Sequence, residues 1–444
     1  MIMIHSARRY RLPVALGVVA LVSASAILSG CGSSDSGAGS APSANQSQSL
    51  TVWMMDGDLS DASLADISSR FEAQTGVKPD IEIQQWDNIN TKLATALSQN
   101  NPPDVVDIGN TDVPLFAASG ALADLTSQKS ALDGGQDWLP GLAGPATFGD
   151  KLYAAPLFAG NRVIIYNKKI WAAAGITSTP TTWTEFTHDL DLIKAKNPAP
   201  TFSALYLPGE DWQTNLQFLF DAGGQIATQD GDTWAVQLST AAAQKGFTQW
   251  KEFQNKYSTA SSRTATAYVP DPNAIFGKGQ ASAISNVNVE PPTLEQSYPD
   301  LKGQLGTFPW PSQNNPGQLM PVFLGGSDVA IASKSPNQDL ALKFIALVTS
   351  DDVQTKDVVG IDGWTPISTQ LIDKVTPSLT DIQKPFFEAA KNSVPTPSAP
   401  GWATVESNLY MENFFGTVTS GSQSIPDATS GYDTKIAAAL NAQQ

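Results

Sequence analysis

The chain has 444 residues, 42 acidic against 26 basic for a formal net charge of −16, 41% hydrophobic residues, two histidines and one cysteine. That acidity excludes nucleic acid, whose phosphates need a basic face, and electrostatic capture by anionic lipid. A single cysteine allows no intramolecular disulfide, and two histidines with no HExxH, CxxC, GxxxxGK[ST] or GxSxG deprive serine, cysteine and zinc hydrolases of their usual base or ligands.

In chain order, Arg8, Arg9 and Arg11 form a basic patch, an apolar run with small residues follows from Leu12 to Leu28, and Leu28-Ser29-Gly30-Cys31 closes it. This order predicts a secretory signal peptide over residues 1–30. The run is short for a spanning helix and is broken by Ser23 and Ser25. The segment holds three arginines and no acid, so its removal takes the formal charge from −16 to −19. Cys31, the only cysteine, resembles that of the lipobox of bacterial lipoproteins, which implies lipidation and anchoring there. Residues 31–49 are nearly all Ser, Gly, Ala and Gln and predict a flexible tether. Roughly 395 residues remain, more than one core usually supports, so two lobes are expected.

Leu50–Met55 predicts a strand, followed by a helix with Leu64, Ile67 and Phe71 on one face that Gly76 ends. Ile81 and Ile83 alternate in a second strand, and Asn88 is placed to cap a helix carrying Ile89, Leu93 and Leu97. Asp104–Ile108 is a third strand. Strand-helix-strand-helix-strand implies a parallel sheet with right-handed crossovers. Arg162–Tyr166 predicts another strand, and Thr182 with Glu185 a capping box opening a helix whose Trp183, Phe186, Leu190 and Ile193 face the core. His188 falls in that helix and is read as structural or solvated. Phe202–Leu207 is strand-like, and residues 212–253 are helix-rich and aromatic. Gly325 and Gly326 interrupt a strand-like stretch, Val322–Ile331. Ser335 and Gln338 suggest a further capping box, with Pro336 at the first helical position.

The order of TVW, FEAQTGVKPDIEIQQWDN, NNPPDVVDIGN, GALADLT, YAAPLFAGNRVIIYNKKIWAAAGI, FGKGQASAIS, LGGSDVAIASKSPNQDLALKFIALV and GWTPIS resembles family 1 of the extracellular solute-binding proteins, the maltose-binding-protein-like receptors of carbohydrate ABC importers. The likeness covers about residues 50–370. It implies an α/β, type II, two-lobe fold, each lobe a mainly parallel sheet flanked by helices and joined by hinge crossings. Lobe one is expected over 50–157 and 322–361, lobe two over 158–321 and 362–444. The resemblance implies a lipid-anchored, monomeric binding protein at the extracellular face of the cytoplasmic membrane. It would pass its ligand to permease subunits, with no catalysis, metal or cofactor. TVWMMDG, EIQQWDN and DVVDIGNTD are similar to members associated with amino-sugar disaccharides. Rival readings are a secreted glycoside hydrolase, with Glu210-Asp211 as its acid cluster, and a receptor for a polyamine or glycerol phosphate.

In an open parallel sheet, ligands sit beyond the carboxyl ends of the strands. Three such ends carry Asp56 and Asp58, then Trp86, Asp87 and Asn88, then Asn110 and Asp112. An indole covers the C–H face of a sugar ring while carboxylates and amides meet its hydroxyls. The opposing wall is expected from Asn161 and Arg162 at the first crossing, Trp212 after the Glu210-Asp211 loop, Asn286 with Asn288, Trp310 between two prolines, Gly325 and Gly326 where backbone can approach, and Trp364 near the third crossing. Trp53, Trp171, Trp183 and Trp250 are expected in the core.

Overall fold

The computed structural model describes residues 49–442; the expected signal peptide, Cys31 and all but the last residue of the tether lie outside the described residues. In chain order the strands are β1 (Leu50–Met55), β2 (Pro79–Gln84), β3 (Val105–Gly109), β4 (Thr147–Phe148), β5 (Lys151–Leu152), β6 (Ala154–Gly160), β7 (Arg162–Asn167), β8 (Ala227–Asp230), β9 (Thr233–Val236), β10 (Ala283–Val287), β11 (Leu305–Phe308) and β12 (Gly325–Ile331).

Five strands make the first sheet, in the order β2-β1-β3-β12-β6. β1 runs parallel to both β2 and β3, because the helices Asp61–Thr75 and Ile89–Ser98 carry the chain back between them. The first helix is bounded by physical stops. The Ser60 hydroxyl accepts from the Ser63 amide, and Gly76 adopts φ 75°, a left-handed end that glycine takes without strain. Its Leu64, Ile67 and Phe71 are buried, each contributing about 1.5–3 kcal/mol. Asn88 does not cap the second helix: it sits at φ 56° and makes no side-chain cap bond. Leu93 and Leu97 anchor that helix instead.

β12 returns from far along the chain and pairs antiparallel with β3 and β6. The second sheet, β10-β7-β11, is antiparallel throughout. The two-lobe α/β architecture is therefore present with more antiparallel pairing than expected. Phe202–Leu207 forms no strand; Ser203 and Tyr206 make isolated bridges to Ala281 and Ile284. The Thr182–Glu185 capping box forms in full. The one expected at Ser335 does not, because that hydroxyl donates to Asp104 and the helix begins at Gln338.

Two cores result. The first, largely aliphatic, surrounds the five-stranded sheet. The second gathers the helices Trp183–Lys196, Trp212–Asp221, Ala241–Tyr257 and Tyr410–Ser420, and is rich in aromatic rings. β7 divides them by its period of two: Val163 and Ile165 join the first, Ile164 the second. A single residue, Asn161, separates β6 of one sheet from β7 of the other. Among the described residues no helix is long and apolar enough to cross a membrane.

Candidate functional site

Where the carboxyl ends of β1 and β3 meet the start of β12, a cleft is lined by Asp58, Trp86, Asn90, Asn110, Thr111, Asp112, Gln213, Phe323, Gly325, Gly326 and Ser327. A narrower end continues past Gly160, Asn161, Arg162 and Val287. Gln213, Phe323 and Gly325 border both spaces.

The cleft floor depends on glycine. Gly326 has φ 142°, and a Cβ there would meet the Phe158 carbonyl oxygen at 2.2 Å. β12 also shifts register between Ser327 and Asp328, which turns the Ser327 hydroxyl to donate to Asp58. Asn110 donates to the Leu324 carbonyl at 3.1 Å and pins this crossing segment to β3.

Trp86 is half-buried and donates its indole N–H to the Asp56 carbonyl at 3.1 Å. Gly109 lies under its ring: a Cβ there would sit 3.6 Å from both the Trp86 ring and the Asp112 carboxylate. The indole therefore stands beside an acid from another strand end, Asp112, and not beside its sequence neighbour Asp87 as the loop suggested. Asp112 is held at about 7, first by burial and then by the charge of Glu406, against a hydrogen bond from Asn90. Glu406 comes from the helix Trp402–Ser407 and accepts from the Thr111 hydroxyl at 2.9 and 3.1 Å. The C-terminal region thus reaches the end of β3.

Below the floor lie three buried carboxyls. Burial, then the Asp107 charge, raises Asp58 and Asp328 well above the usual carboxylate range. Asp107 is pushed to about 7, chiefly by burial, although it accepts from the Met55 amide at 3.0 Å. Asp58 shares a side-chain hydrogen bond with Asp107 and accepts from Ser327. Among the described residues no group of three or more His, Cys, Asp or Glu is arranged to hold a metal ion.

The other expected residues take different places. Asp56 and Asp87 are exposed outside the cleft. Asp87 borders a shallow groove of about 710 Å³ along the outer side of β1, where Lys92 lies 5.2 Å over the Trp53 ring. Trp364 is 2% exposed, stacks on Phe158 at 4.6 Å and donates to the Asp58 carbonyl at 2.8 Å, so it braces the floor from beneath. Trp212 is buried against Phe323 at 5.0 Å, and the next residue, Gln213, reaches the cleft. Trp310 is 1% exposed, packed among Phe186, Phe218 and Phe253, and belongs to the core. Asn286 donates to Asn273 at 3.0 Å, outside both spaces. Arg162 lies 3.4 Å from Asp211, the residue that caps the helix Trp212–Asp221. His188 is exposed on its helix, and Trp53 is only partly buried. Asn90, Gln213, Phe323 and Glu406 carried no individual signal, though Phe323 and Gln213 adjoin residues that did.

The two spaces hold about 40 and 10 Å³. That admits a water or two; a larger ligand enters only when the walls part. The walls offer one aromatic face, amides, a hydroxyl and acids that burial raises above the usual carboxylate range, and their one cation is already committed to Asp211. Such a lining suits an uncharged polar ring.

Comparison with known proteins agrees. The model of the bacterial extracellular solute-binding proteins matches residues 56–355. The diacetylchitobiose binding protein DasA of Streptomyces coelicolor is 34% identical over 98% of this chain and 99% of its own length. The sugar-binding protein MalE of Xanthomonas citri superposes with a TM-score of 0.76 at 22% identity, covering 88% of this chain and 97% of its own. The GacH receptor of Streptomyces glaucescens, solved unliganded and with acarbose, gives 0.71 at 22% identity, covering 88% and 98%.

Proposed function

As the chain belongs to the bacterial extracellular solute-binding proteins, we propose that it is the extracellular receptor of an ABC importer, and that it captures an amino-sugar disaccharide between its lobes for the permease. The observation that carries this reading is the half-exposed Trp86 ring beside Asp112, at the carboxyl ends of parallel strands and facing Gln213 and Phe323 across a nearly closed cleft. The disaccharide class is supported by DasA, whose name states what that protein binds.

The working cycle follows from the cleft volume. The lobes part about the crossings at Asn161 and Gly325-Gly326, the sugar ring stacks on Trp86, and polar groups of both walls close on its hydroxyls. A ligand that touches both lobes only when they are closed shifts the population toward closure. The permease then reads the closed form. We assign lobe one to 50–157 and 322–361 and lobe two to 158–321 and 362–444, and read the receptor as a monomer lipidated at Cys31. The experiment is a thermal-shift screen of the mature protein against mono- and disaccharides. At about one hundred times its Kd, a ligand stabilises by about 2.7 kcal/mol. Stabilisation by amino-sugar disaccharides supports the reading. A screen in which no saccharide raises the Tm, or in which an oligosaccharide is cleaved, defeats it.

A further inference from the structure

Asn161 is 1% exposed, and neither its side-chain nitrogen nor its oxygen has a hydrogen-bond partner in the protein. Buried amides are rarely left so, because water is lost at both ends with nothing gained. The residue lines the narrow end of the cleft. Beside it, the Arg162 Nε is buried and makes no hydrogen bond despite its ion pair with Asp211. Asn288, 4% exposed, donates its Nδ2 to the Gly363 carbonyl at 2.7 Å, which leaves its Oδ1 as an unpaired acceptor. That oxygen borders Gly160, lying 3.8 Å from where a Cβ would stand there. Val287 and Phe323 supply apolar surface on the same lining.

Resting on the carbohydrate reading above, we infer that this end of the cleft recognises the acetamido group of an N-acetylated amino sugar, with Asn161 as the specificity-determining residue. An acetamido group carries a carbonyl acceptor, an N–H donor and a methyl. Its amide is trans, so the carbonyl and the N–H point to opposite sides and need two different partners. Asn161 Nδ2 donates to the carbonyl, and Asn288 Oδ1 accepts from the N–H. The methyl rests against Val287 and Phe323. Asn161 Oδ1 is then left to accept from a neighbouring ring hydroxyl. A plain hydroxyl at the same ring position cannot reach donor, acceptor and apolar surface together. A free ammonium brings no acceptor for Asn161 Nδ2 and stands near the Arg162 charge.

The test is calorimetry on the mature protein with three disaccharides: diacetylchitobiose, its deacetylated form and cellobiose, which carries hydroxyls at the acetamido positions. The wild type should bind the acetylated disaccharide at least about tenfold more tightly than cellobiose, since unmatched buried polar groups and a lost methyl contact both count against the analogue. Asn161→Ala should cut that ratio several-fold, because the acetamido carbonyl loses its donor while any hydroxyl contact of the same side chain is lost for both sugars. Asn161→Asp, which swaps the donor for an acceptor, serves if the alanine variant fails to fold, and should do the same. Equal wild-type affinity for acetylated and plain disaccharides, or a ratio that survives in the variants, overturns the inference and leaves the receptor reading standing. Binding of none of the three sinks both.

Discussion

The wall from the five-stranded sheet presents a half-exposed indole, Trp86, with Asn110 and Asp112 beside it, whereas the facing wall presents Gln213 and Phe323 and turns its tryptophans, Trp212 and Trp310, inward. The first lobe fills its core with aliphatic side chains from a broad sheet flanked by helices. Trp86 is thereby left at a strand end with part of its ring open to the cleft. The second core rests on a sheet of only three strands and must close with helices, and its large rings are consumed in packing. The same residue type therefore faces the cleft on one side and holds structure on the other.

Trp310→Ala should have the largest effect and should be purely structural. Removing a ring packed among Phe186, Phe218 and Phe253 should cost about 3–5 kcal/mol of stability. Denaturant unfolding measures it, and a loss below about 1 kcal/mol would dissolve the contrast between the walls. Trp86→Ala should do the reverse, weakening sugar binding by about 1–3 kcal/mol with little change in Tm. Unchanged affinity by calorimetry, with the fold intact, removes Trp86 from the site. Thr111→Val takes away the hydrogen bond to Glu406 that joins the end of β3 to the C-terminal region. It should weaken ligand affinity by about 1 kcal/mol, visible as faster release in stopped-flow fluorescence; an unaltered release rate argues against that contact in closure.

The smallest effect concerns pH. Asp112 is held at about 7, against an ordinary value of 3.8. A carboxyl raised on folding binds its proton more tightly in the native state. Its contribution to stability is complete below the ordinary value and is lost as pH rises to about 7. Glu412, pushed to about 7 first by burial, adds in the same sense. The Tm should thus decline between pH 4.5 and about 7, and Asp112→Asn should flatten part of that decline. Parallel curves for the two proteins would show that Asp112 is not a proton-binding group of the native state.

Much of the first lobe was legible in the sequence. Its elements are local: hydrophobic spacing marks the helix Asp61–Thr75, Gly76 ends it, and strand ends identify Asp58, Trp86, Asn110 and Asp112. Asn88 shows the limit. Its type suits a cap, yet the turn after β2 holds it at φ 56°, a constraint set by how β2 enters the helix Ile89–Ser98. The second wall was less legible because its residues are adjacent only in space. Trp212 was expected where Gln213 stands, since a one-residue rotation on a helix decides which side chain faces the cleft.

By itself the sequence determined the acidic surface, the alternation of strands and helices, the glycine pair on which the floor depends and the ordered motifs that identify the family. Those properties are encoded by composition and by spacing along the chain. Tertiary structure alone decided which tryptophans are spent in a core, that Glu406 returns from the C-terminal helices to meet Thr111, and that the Asn161 amide is buried without a partner. The physical reason is common to all three. Burial and hydrogen-bond satisfaction depend on neighbours brought from far along the chain, 295 residues away in the case of Thr111 and Glu406, and no local pattern records them.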